Sequence, residues 1–148
     1  MQLDTDDLAA FLAGFIAAEG TFFRTGDRPS FRFAIGLGAS DRSMCELAQV
    51  FFGRGRIYSS PRRRPQYDDE ATLSIASLAA HLTGTVPFMD EHLPVSHKRR
   101  QYLAWRAQVL DYWEHEAKRV RPCTVNGCEA PRRARGLCRH HLYEQHGV

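Results

Sequence analysis

The hydrophobic pattern of the first twenty residues predicts a helix over about residues 6–18 that is apolar on all sides. At 3.6 residues per turn, bulky side chains fall on one side and small ones on the other. The bulky side is Leu8, Phe11, Leu12, Phe15 and Ile16, and the small side is Ala9, Ala10, Ala13, Gly14, Ala17 and Ala18. Because a surface helix normally has one charged face, burial on both sides is expected. Asp6 or Asp7 is expected to cap the helix, Glu19 ends it and Gly20 breaks it.

The segments that follow predict two hairpins separated by a helix and followed by further helices. The predicted strands are residues 21–25, 30–38, 56–60 and 71–76, and the later predicted helices are 41–52, 77–83 and 96–117. This order predicts an α+β domain, in which a four-stranded antiparallel sheet has helices on one face.

Strand alternation assigns a set of polar side chains to the open face of this sheet. These are Arg32, Arg56, Tyr58, Ser60, Thr72 and Ser74. Arginine can donate two hydrogen bonds to guanine or to phosphate. By itself the pattern also fits an ordinary solvated face, because antiparallel sheets often leave one side wet.

Charge is distributed unevenly along the chain. Residues 117–148 contain seven basic and two acidic residues, a net +5, so the remainder carries −2 of the total of +3. The basic residues of that remainder are clustered, above all at Arg54, Arg56, Arg62, Arg63 and Arg64. Clustering on a mildly acidic body indicates an anionic partner, although a solvated arginine loop is the alternative.

The tail, residues 117–148, is predicted to form a separate unit after a main domain at residues 1–116. It contains Cys123, Cys128, Cys138 and His141, with His140 as the rival fourth ligand. Three cysteines and a histidine at this spacing favour a tetrahedral structural zinc site over disulfides. So small a unit needs the metal to fold. We call this predicted zinc-binding segment the knuckle. Four arginines around it are expected to contact phosphate: Arg132, Arg133, Arg135 and Arg139.

The segment Leu12–Gly20, followed by Thr21 and Phe22, resembles the signature motif of the LAGLIDADG homing endonucleases. In that family the motif helix packs against its symmetry mate, and the second acidic residue binds the catalytic metal. That residue is Glu19 here, whereas the family's first acidic position is occupied by Ala17. The resemblance extends over roughly residues 7–115 and implies the same α+β fold, with the open sheet face lying along DNA.

One motif copy implies a homodimer that binds a roughly palindromic double-stranded DNA target. The dimer helix contacts would come from Ala10, Ala13, Gly14 and Ala17. The resemblance implies Mg²⁺ (or Mn²⁺) held by Glu19 and the backbone carbonyl of Ala18, with Lys98, or secondly Arg100, close to the reacting phosphate. The polar residue that the family commonly has before its second helix is missing from Leu37–Ala39.

The first interpretation is therefore a magnesium-dependent, site-specific DNA endonuclease encoded by a mobile element of a prokaryote or phage. The second is a catalytically inactive DNA-binding regulator or RNA-splicing maturase on the same scaffold, which the departures at Ala17 and Leu37–Ala39 allow. The third is a zinc-stabilised protein-interaction module, which the arginine distribution disfavours. The acidic amino terminus does not resemble a signal peptide, and a cytoplasmic location is expected.

Overall fold

A computed structural model of the chain describes residues 4–27, 29–117, 119 and 121–147. The helices are α1 (Thr5–Glu19), α2 (Arg42–Phe52), α3 (Leu78–Ala80), α4 (Val86–His92), α5 (His97–Tyr112) and α6 (Arg139–His146). The strands are β1 (Gly20–Thr25), β2 (Ser30–Gly38), β3 (Arg56–Ser60) and β4 (Glu70–Ile75). From α1 to α5 this is the predicted order of elements, whereas α6 was not predicted. None of the helices within the described residues has the length and apolar character that a bilayer crossing requires.

The four strands form one antiparallel sheet in the order β1-β2-β4-β3. Its buried face consists of alternate residues, for example Phe33, Leu73 and Ile75, which are at most 2% exposed. Aromatic side chains from β1 and α5 complete this core. The Phe22 ring lies 5.2 Å from Phe33 and 5.2 Å from Trp105. The helices cover one face of the sheet and leave the other open, as the strand alternation predicted.

Helix α1 begins one residue earlier than predicted, at Thr5, and uses a different cap. The Asp4 carboxylate accepts hydrogen bonds from the backbone N–H groups of Asp6, at 2.6 Å, and Asp7, at 3.2 Å. The prediction that Asp6 or Asp7 caps the helix is therefore wrong. Both lie in its first turn, where negative charge favours the helix dipole.

The predicted helix 77–83 is much longer in the structure. Ser77 caps α3 by accepting a hydrogen bond from the Ala80 N–H, and a π-helical turn, His81–Thr85, connects α3 to α4. Glycine and proline commonly end a helix, but here Gly84 lies within the π-helical turn and Pro87 lies in the first turn of α4, where a missing N–H costs little. The widened turn lets the helical path continue to His92.

The π-helical turn places His81, which is 0% exposed, inside the core. Its Nε2 lies 2.8 Å from the Phe31 carbonyl oxygen and its Nδ1 lies 3.3 Å from Thr85 Oγ1. Burial lowers the pKa of His81 below its ordinary value of 6.5, and the hydrogen bond to Phe31 offsets this only in part. The imidazole is therefore neutral and donates from Nε2.

This neutral histidine predicts a loss of stability in mild acid. As the pH falls below about 6.5, the unfolded chain takes up a proton that folded His81 resists, so the free energy of unfolding decreases until the pH reaches the folded pKa. Above about 6.5 this contribution should be constant. Urea denaturation of wild type and His81→Gln at several pH values measures it. The variant should be less stable but less pH-dependent, and His115→Gln, at an exposed histidine, should retain the wild-type dependence.

The chain divides into two compact units, Met1–Val109 and Leu110–Val148. The first contains the sheet, helices α1 to α4, and α5 as far as Val109. The second contains a π-helical turn at Trp113–Ala117, an irregular knuckle and α6. Lys118, one of the basic residues counted in the tail, lies outside the described residues. The predicted boundary between a main domain at residues 1–116 and a tail at residues 117–148 stays a prediction.

Candidate functional site

The carboxylate of Glu19 is exposed at the carboxyl end of α1. Within the described residues it makes no hydrogen bond or ion pair, so no internal partner neutralises it. The chain turns directly from helix into strand here, since the Gly20 N–H donates to the Ile16 carbonyl. A Cβ atom on Gly20 would lie 2.7 Å from that same carbonyl oxygen. Glycine is therefore required to place Glu19 immediately before β1.

Helix α1 leaves an apolar strip exposed beside Glu19. Its buried residues are Ala9, Leu12, Ala13 and Ile16, and its exposed apolar residues are Ala10, Phe11, Gly14 and Ala18. We call this exposed set the α1 strip. Phe11 is 46% exposed, and a Cβ atom on Gly14 would meet nothing within 4 Å. Close approach by another backbone is therefore possible here.

The predicted dimer contacts at Ala10 and Gly14 lie on the α1 strip, and Ala17 is half-buried beside it. The contact predicted for Ala13 needs correction, because Ala13 is only 2% exposed and packs in the core of its own unit. Phe11 takes its place on the exposed side. Burial on both sides of the helix, which the apolar pattern predicted, is not found within this unit.

Three consecutive basic residues at the start of α5 have different surroundings. Arg99 donates to the carbonyl oxygens of Met89, Leu93 and Asp90, so it closes the carboxyl end of α4. The Arg100 guanidinium is exposed and lies 3.3 Å from His97 Nδ1. Lys98 points elsewhere, towards β1. Lys98 and Arg100 therefore remain candidates for contact with phosphate, whereas Arg99 has a structural role. The local sequence did not distinguish them.

Lys98 lines an open depression of about 420 Å³ with Thr21, Phe22, Gln101 and Trp105. Thr21 is two residues beyond Glu19 along β1, so Lys98 lies alongside the start of this strand. Within the described residues the Lys98 ammonium has no hydrogen bond or ion pair. It is therefore available to an anion bound near the amino end of β1.

An ion-pair network that sequence reasoning missed anchors α5. Arg106 binds both carboxylate oxygens of Asp90, at 2.9 and 3.0 Å, and the Tyr102 hydroxyl donates to Asp90 at 2.6 Å. Burial alone would raise the pKa of Asp90, but these hydrogen bonds outweigh it and lower that pKa below its ordinary value. The carboxylate is therefore charged. Since Lys98 is on the same helix, this network also fixes its position.

Four of the six polar residues predicted on the open sheet face lie together at one end of β3 and β4. A depression of about 320 Å³ is lined by Arg32, Arg54, Arg56, Tyr58 and Ser74. The Arg32 Nε is buried and has no hydrogen-bond partner among the described residues. A cluster of three guanidinium groups with an unused buried donor favours an anionic ligand.

Strand register shows which open-face residues lie side by side. Ser74 of β4 pairs with Arg56 of β3, and Thr72 pairs with Tyr58 in the next row of this face. At the far end, Ser60 pairs with Glu70, an exposed acidic residue that sequence reasoning did not single out. Its position on this face follows from period-two alternation and was available from the sequence.

The first strand also contributes to the open face. Phe23 pairs with Arg32 and Thr25 pairs with Ser30, while Phe22 pairs with the buried Phe33. Phe23 is 37% exposed. Phe23 therefore lies on the same face of the sheet as Arg32.

Arg62, Arg63 and Arg64 lie on the exposed loop that joins β3 to β4. The loop is held at both ends, because Asp69 accepts from the Arg62 N–H at 2.9 Å and Asp68 accepts from the Ser40 N–H at 2.9 Å. The three guanidinium groups make no hydrogen bond or ion pair to described residues. The loop therefore extends the positive charge of the open face beyond the strands.

In the second unit, the four predicted zinc ligands come together. Cys123 Sγ and Cys138 Sγ each lie 3.3 Å from His141 Nδ1, and Cys128 Sγ lies 3.9 Å from Cys138 Sγ. All four ligand atoms lie within 4.8 Å of one another. Tetrahedral zinc requires separations of about 3.5–3.8 Å at ordinary Zn–S and Zn–N bond lengths. The cluster can therefore hold a zinc ion.

Local backbone geometry assembles this cluster. Gly127 and Gly136 have φ values of +79° and +81°, which only glycine adopts easily. The Cys123 thiol has a pKa of about 6, because hydrogen bonds from the Val125 and Cys138 N–H groups and from His141 outweigh the effect of burial. A thiolate is the form that binds zinc.

His140, the rival ligand, points away from the cysteine cluster. Its side chain is exposed and its Nε2 lies 3.2 Å from Glu144 Oε1. The geometry therefore favours His141 as the fourth ligand.

The arginines predicted around the knuckle also divide into two groups. Arg132 and Arg133 line one depression, whereas Arg135 lies 3.1 Å from His146 Nδ1.

Metal removal tests this centre directly. We expect one zinc per chain in wild type, loss of zinc in His141→Ala, and retention in the matched variant His140→Ala. The second unit buries only a few apolar side chains around Leu137, so stripping the metal should unfold it while the first unit stays folded. Zinc content by elemental analysis and amide NMR spectra give both readouts. Equal zinc content in the two variants would contradict the assignment of His141.

Comparison with known proteins supports this fold. No family model and no curated protein sequence matches the chain. Among solved structures it is similar to the meganuclease I-SmaMI bound to uncleavable DNA, with a TM-score of 0.64 and 18% identity over 72% of this chain. It is also similar to the homing endonuclease I-TnaI, with a TM-score of 0.60 and 22% identity over 77% of this chain.

A third similar structure is the group I intron-encoded homing endonuclease I-CeuI in complex with DNA, with a TM-score of 0.61 and 18% identity over 77% of this chain. The chain covers 37% of the length of I-SmaMI, 58% of I-CeuI and 76% of I-TnaI. At these identities the comparison establishes the fold. The first unit has the fold of the LAGLIDADG homing endonucleases.

Proposed function

We propose that this chain is a site-specific, double-strand DNA endonuclease that acts as a homodimer with a divalent metal ion, as expected for a nuclease of a mobile element. The observation that carries the proposal is the position of Glu19. Its exposed carboxylate is unpaired within the described residues and follows directly on the α1 strip. In the LAGLIDADG motif this acidic residue is the metal ligand. A catalytic carboxylate beside a self-complementary helix face is the arrangement that the proposed enzyme needs.

A second copy of the chain is the proposed partner of the α1 strip. The strip combines small residues, Ala10, Gly14 and Ala18, with the exposed aromatic ring of Phe11. Exposed apolar residues on a helix face are favourable to cover, and the small ones allow two helix axes to approach closely. Because the chain has one motif copy, a two-fold dimer would bring two Glu19 carboxylates together.

The residues around Glu19 suit a hard divalent cation. The Glu19 carboxylate and the Ala18 carbonyl, which belongs to the last turn of α1, are both oxygen donors of the kind that Mg²⁺ prefers. When bound, the ion would polarise the phosphodiester and lower the pKa of a water molecule. Two copies of Glu19 also make a more adequate ligand set than one.

The chain's own cations would bind and orient the DNA. The guanidinium groups of Arg32, Arg54 and Arg56 would contact phosphates or guanine edges, and Tyr58 would add a shorter polar contact. The similar structures of I-SmaMI and I-CeuI are complexes with DNA, which supports DNA as the partner. Lys98, alongside the start of β1, would offset charge that builds up on the reacting phosphate. Arg100 is the weaker candidate because it faces His97.

A regulator or maturase that has lost cleavage is the second candidate. It is favoured by Ala17 and by the absence of a polar side chain at Leu37–Ala39. The discriminating experiment is incubation of a randomised plasmid library with the full-length protein and Mg²⁺, followed by sequencing of linear products. Linear products with a shared, roughly palindromic site support the endonuclease. Salt-sensitive DNA binding without linear products supports the regulator. Absence of any DNA binding would overturn both and leave a protein-interaction module.

A further inference from the structure

Two short segments of the second unit place four arginines around one depression. Arg119, Arg121, Arg132 and Arg133 line an open depression of about 430 Å³ together with Pro131. We call these four residues the knuckle arginines. All of the described residues that line it belong to the second unit.

The backbone beneath the knuckle arginines is fixed by a small ladder. The Arg132 N–H donates to the Arg121 carbonyl at 2.8 Å, and the Cys123 N–H donates to the Ala130 carbonyl at 2.9 Å. Pro122 and Pro131 form an antiparallel bridge between these bonds. Because Cys123 is also a member of the cysteine cluster, metal binding would stabilise the ladder directly. The four charges are therefore presented on an ordered support.

The knuckle arginines have no acidic partner within the described residues. All four are exposed, and their side chains form no ion pair with Glu129 or Glu144, the two acidic residues of the tail. To described residues, their side chains make one hydrogen bond, from Arg132 Nε to the Pro122 carbonyl oxygen at 3.3 Å. Four unneutralised guanidinium groups repel one another, so the arrangement favours an anionic ligand.

The chemistry of the lining indicates backbone phosphate of duplex DNA as that ligand. A single-strand site would need aromatic side chains on which bases stack, and none of the described residues that line this depression is aromatic. A protein partner would need apolar anchors at the centre, and among the described residues that line the depression Pro131 alone is apolar. Duplex DNA carries one negative charge per about 1.7 Å along its axis, and arginine binds phosphate with two hydrogen bonds.

We propose that the knuckle arginines form a second DNA-binding surface, which grips duplex phosphates without reading sequence and lengthens the DNA segment that each chain contacts. This proposal rests on the proposed function only in taking DNA as the partner. It assigns the zinc centre a role, namely to hold a positively charged ladder in shape. Affinity would come from the second unit, whereas sequence selection and cleavage would remain with the first.

The salt dependence of DNA binding tests this surface. The full-length zinc-loaded protein is titrated against duplex DNA of arbitrary sequence, about 40 base pairs long, at several salt concentrations, with fluorescence anisotropy as the readout. In Arg121→Gln/Arg133→Gln the slope of log affinity against log salt should become shallower by about 2. Affinity near physiological salt should fall on the order of tenfold, because two phosphate contacts are lost.

A matched control removes the same charge from the same unit. The sequence predicted phosphate contacts for Arg135 and Arg139 as well, but neither side chain lines the depression, so this proposal no longer assigns them a contact. Arg135→Gln/Arg139→Gln should therefore leave the slope within about half a unit of wild type. Zinc content must equal that of wild type in both pairs. If Arg121→Gln/Arg133→Gln loses zinc, the single variant Arg119→Gln is used instead, because Arg119 precedes the first cysteine ligand. Its slope of log affinity against log salt should still be shallower than that of wild type by about 1.

Three results would overturn the proposal. One is an equal loss of DNA affinity and salt slope in Arg121→Gln/Arg133→Gln and in its control pair, which would indicate an effect of net charge alone. Another is an unchanged slope in Arg121→Gln/Arg133→Gln with wild-type zinc. The third is tighter binding of single-stranded RNA than of duplex DNA that depends on the same arginines. Failure of the proposed endonuclease function would be seen separately, as normal salt slopes without magnesium-dependent cleavage.

Discussion

Glu19→Gln should abolish DNA cleavage while leaving DNA binding intact. The amide has nearly the same shape as the carboxylate but no negative charge, so it is a poor ligand for a hard divalent cation. A catalytic metal contributes several kcal/mol to transition-state stabilisation, and each 1.36 kcal/mol is tenfold in rate, so cleavage should fall by at least roughly 1,000-fold. Affinity for DNA should be unchanged or slightly higher, because a negative charge next to the phosphates is removed.

The measurement is single-turnover cleavage of the site recovered from the plasmid library, with DNA binding measured in parallel without divalent metal. Glu91→Gln is the matched control, since Glu91 is also an exposed helical glutamate but belongs to α4 and lies 3.6 Å from His92. It should cleave as wild type does. Wild-type cleavage by Glu19→Gln would contradict the proposed role of this residue, and loss of both cleavage and binding would indicate a structural role instead.

Much of the fold could be predicted from the sequence because its local signals agree with its tertiary structure. Alternation over residues 30–38 gave β2 its inward and outward faces, and Gly53, with a φ of +64°, ends α2 as its position predicted. The cysteine and histidine spacing identified the metal-ligand cluster for a related reason. A small metal site is built from residues close in sequence, so spacing constrains it strongly.

The exposed side of α1 could not be predicted, because the helix offers no polar face to contrast with an apolar one. Sorting by size put Leu8, Phe11, Leu12, Phe15 and Ile16 together, whereas the structure divides the helix so that Phe11 is exposed and Ala13 is buried. Hydrophobicity alone does not determine which side of such a helix faces the core, that is, its rotation about its own axis. The angle is set by packing on the sheet and on α4, which depends on residues distant in sequence.

The structural role of Arg99 and the buried position of His81 were missed for the same reason. Lys98, Arg99 and Arg100 are equivalent as a sequence pattern, and only the carbonyl groups at the end of α4 distinguish Arg99. His81 became a core residue because a π-helical turn continued past Gly84 and Pro87, both of which indicate a helix end. Tertiary packing overrode local propensity in each case.

Gly14→Leu should prevent dimer formation without unfolding the chain. Within its own unit, a Cβ atom at Gly14 would meet nothing within 4 Å, and replacing a mid-helix glycine by leucine favours the helix by about 1 kcal/mol. In a dimer that buries the α1 strip, two leucine side chains would occupy the space between the helix axes. Overpacking of this kind costs about 1–3 kcal/mol per site, so dimer affinity should fall on the order of 100-fold and cleavage of a palindromic site with it.

Sedimentation velocity over a range of protein concentrations, together with thermal unfolding, measures both effects. The matched control is Gly84→Leu, since Gly84 also lies in a helical segment and also has open space at its Cβ position, but is not part of the α1 strip. It should remain dimeric. If Gly14→Leu forms dimers as readily as wild type, the dimer uses another surface, and the two Glu19 carboxylates would then have no structural reason to meet.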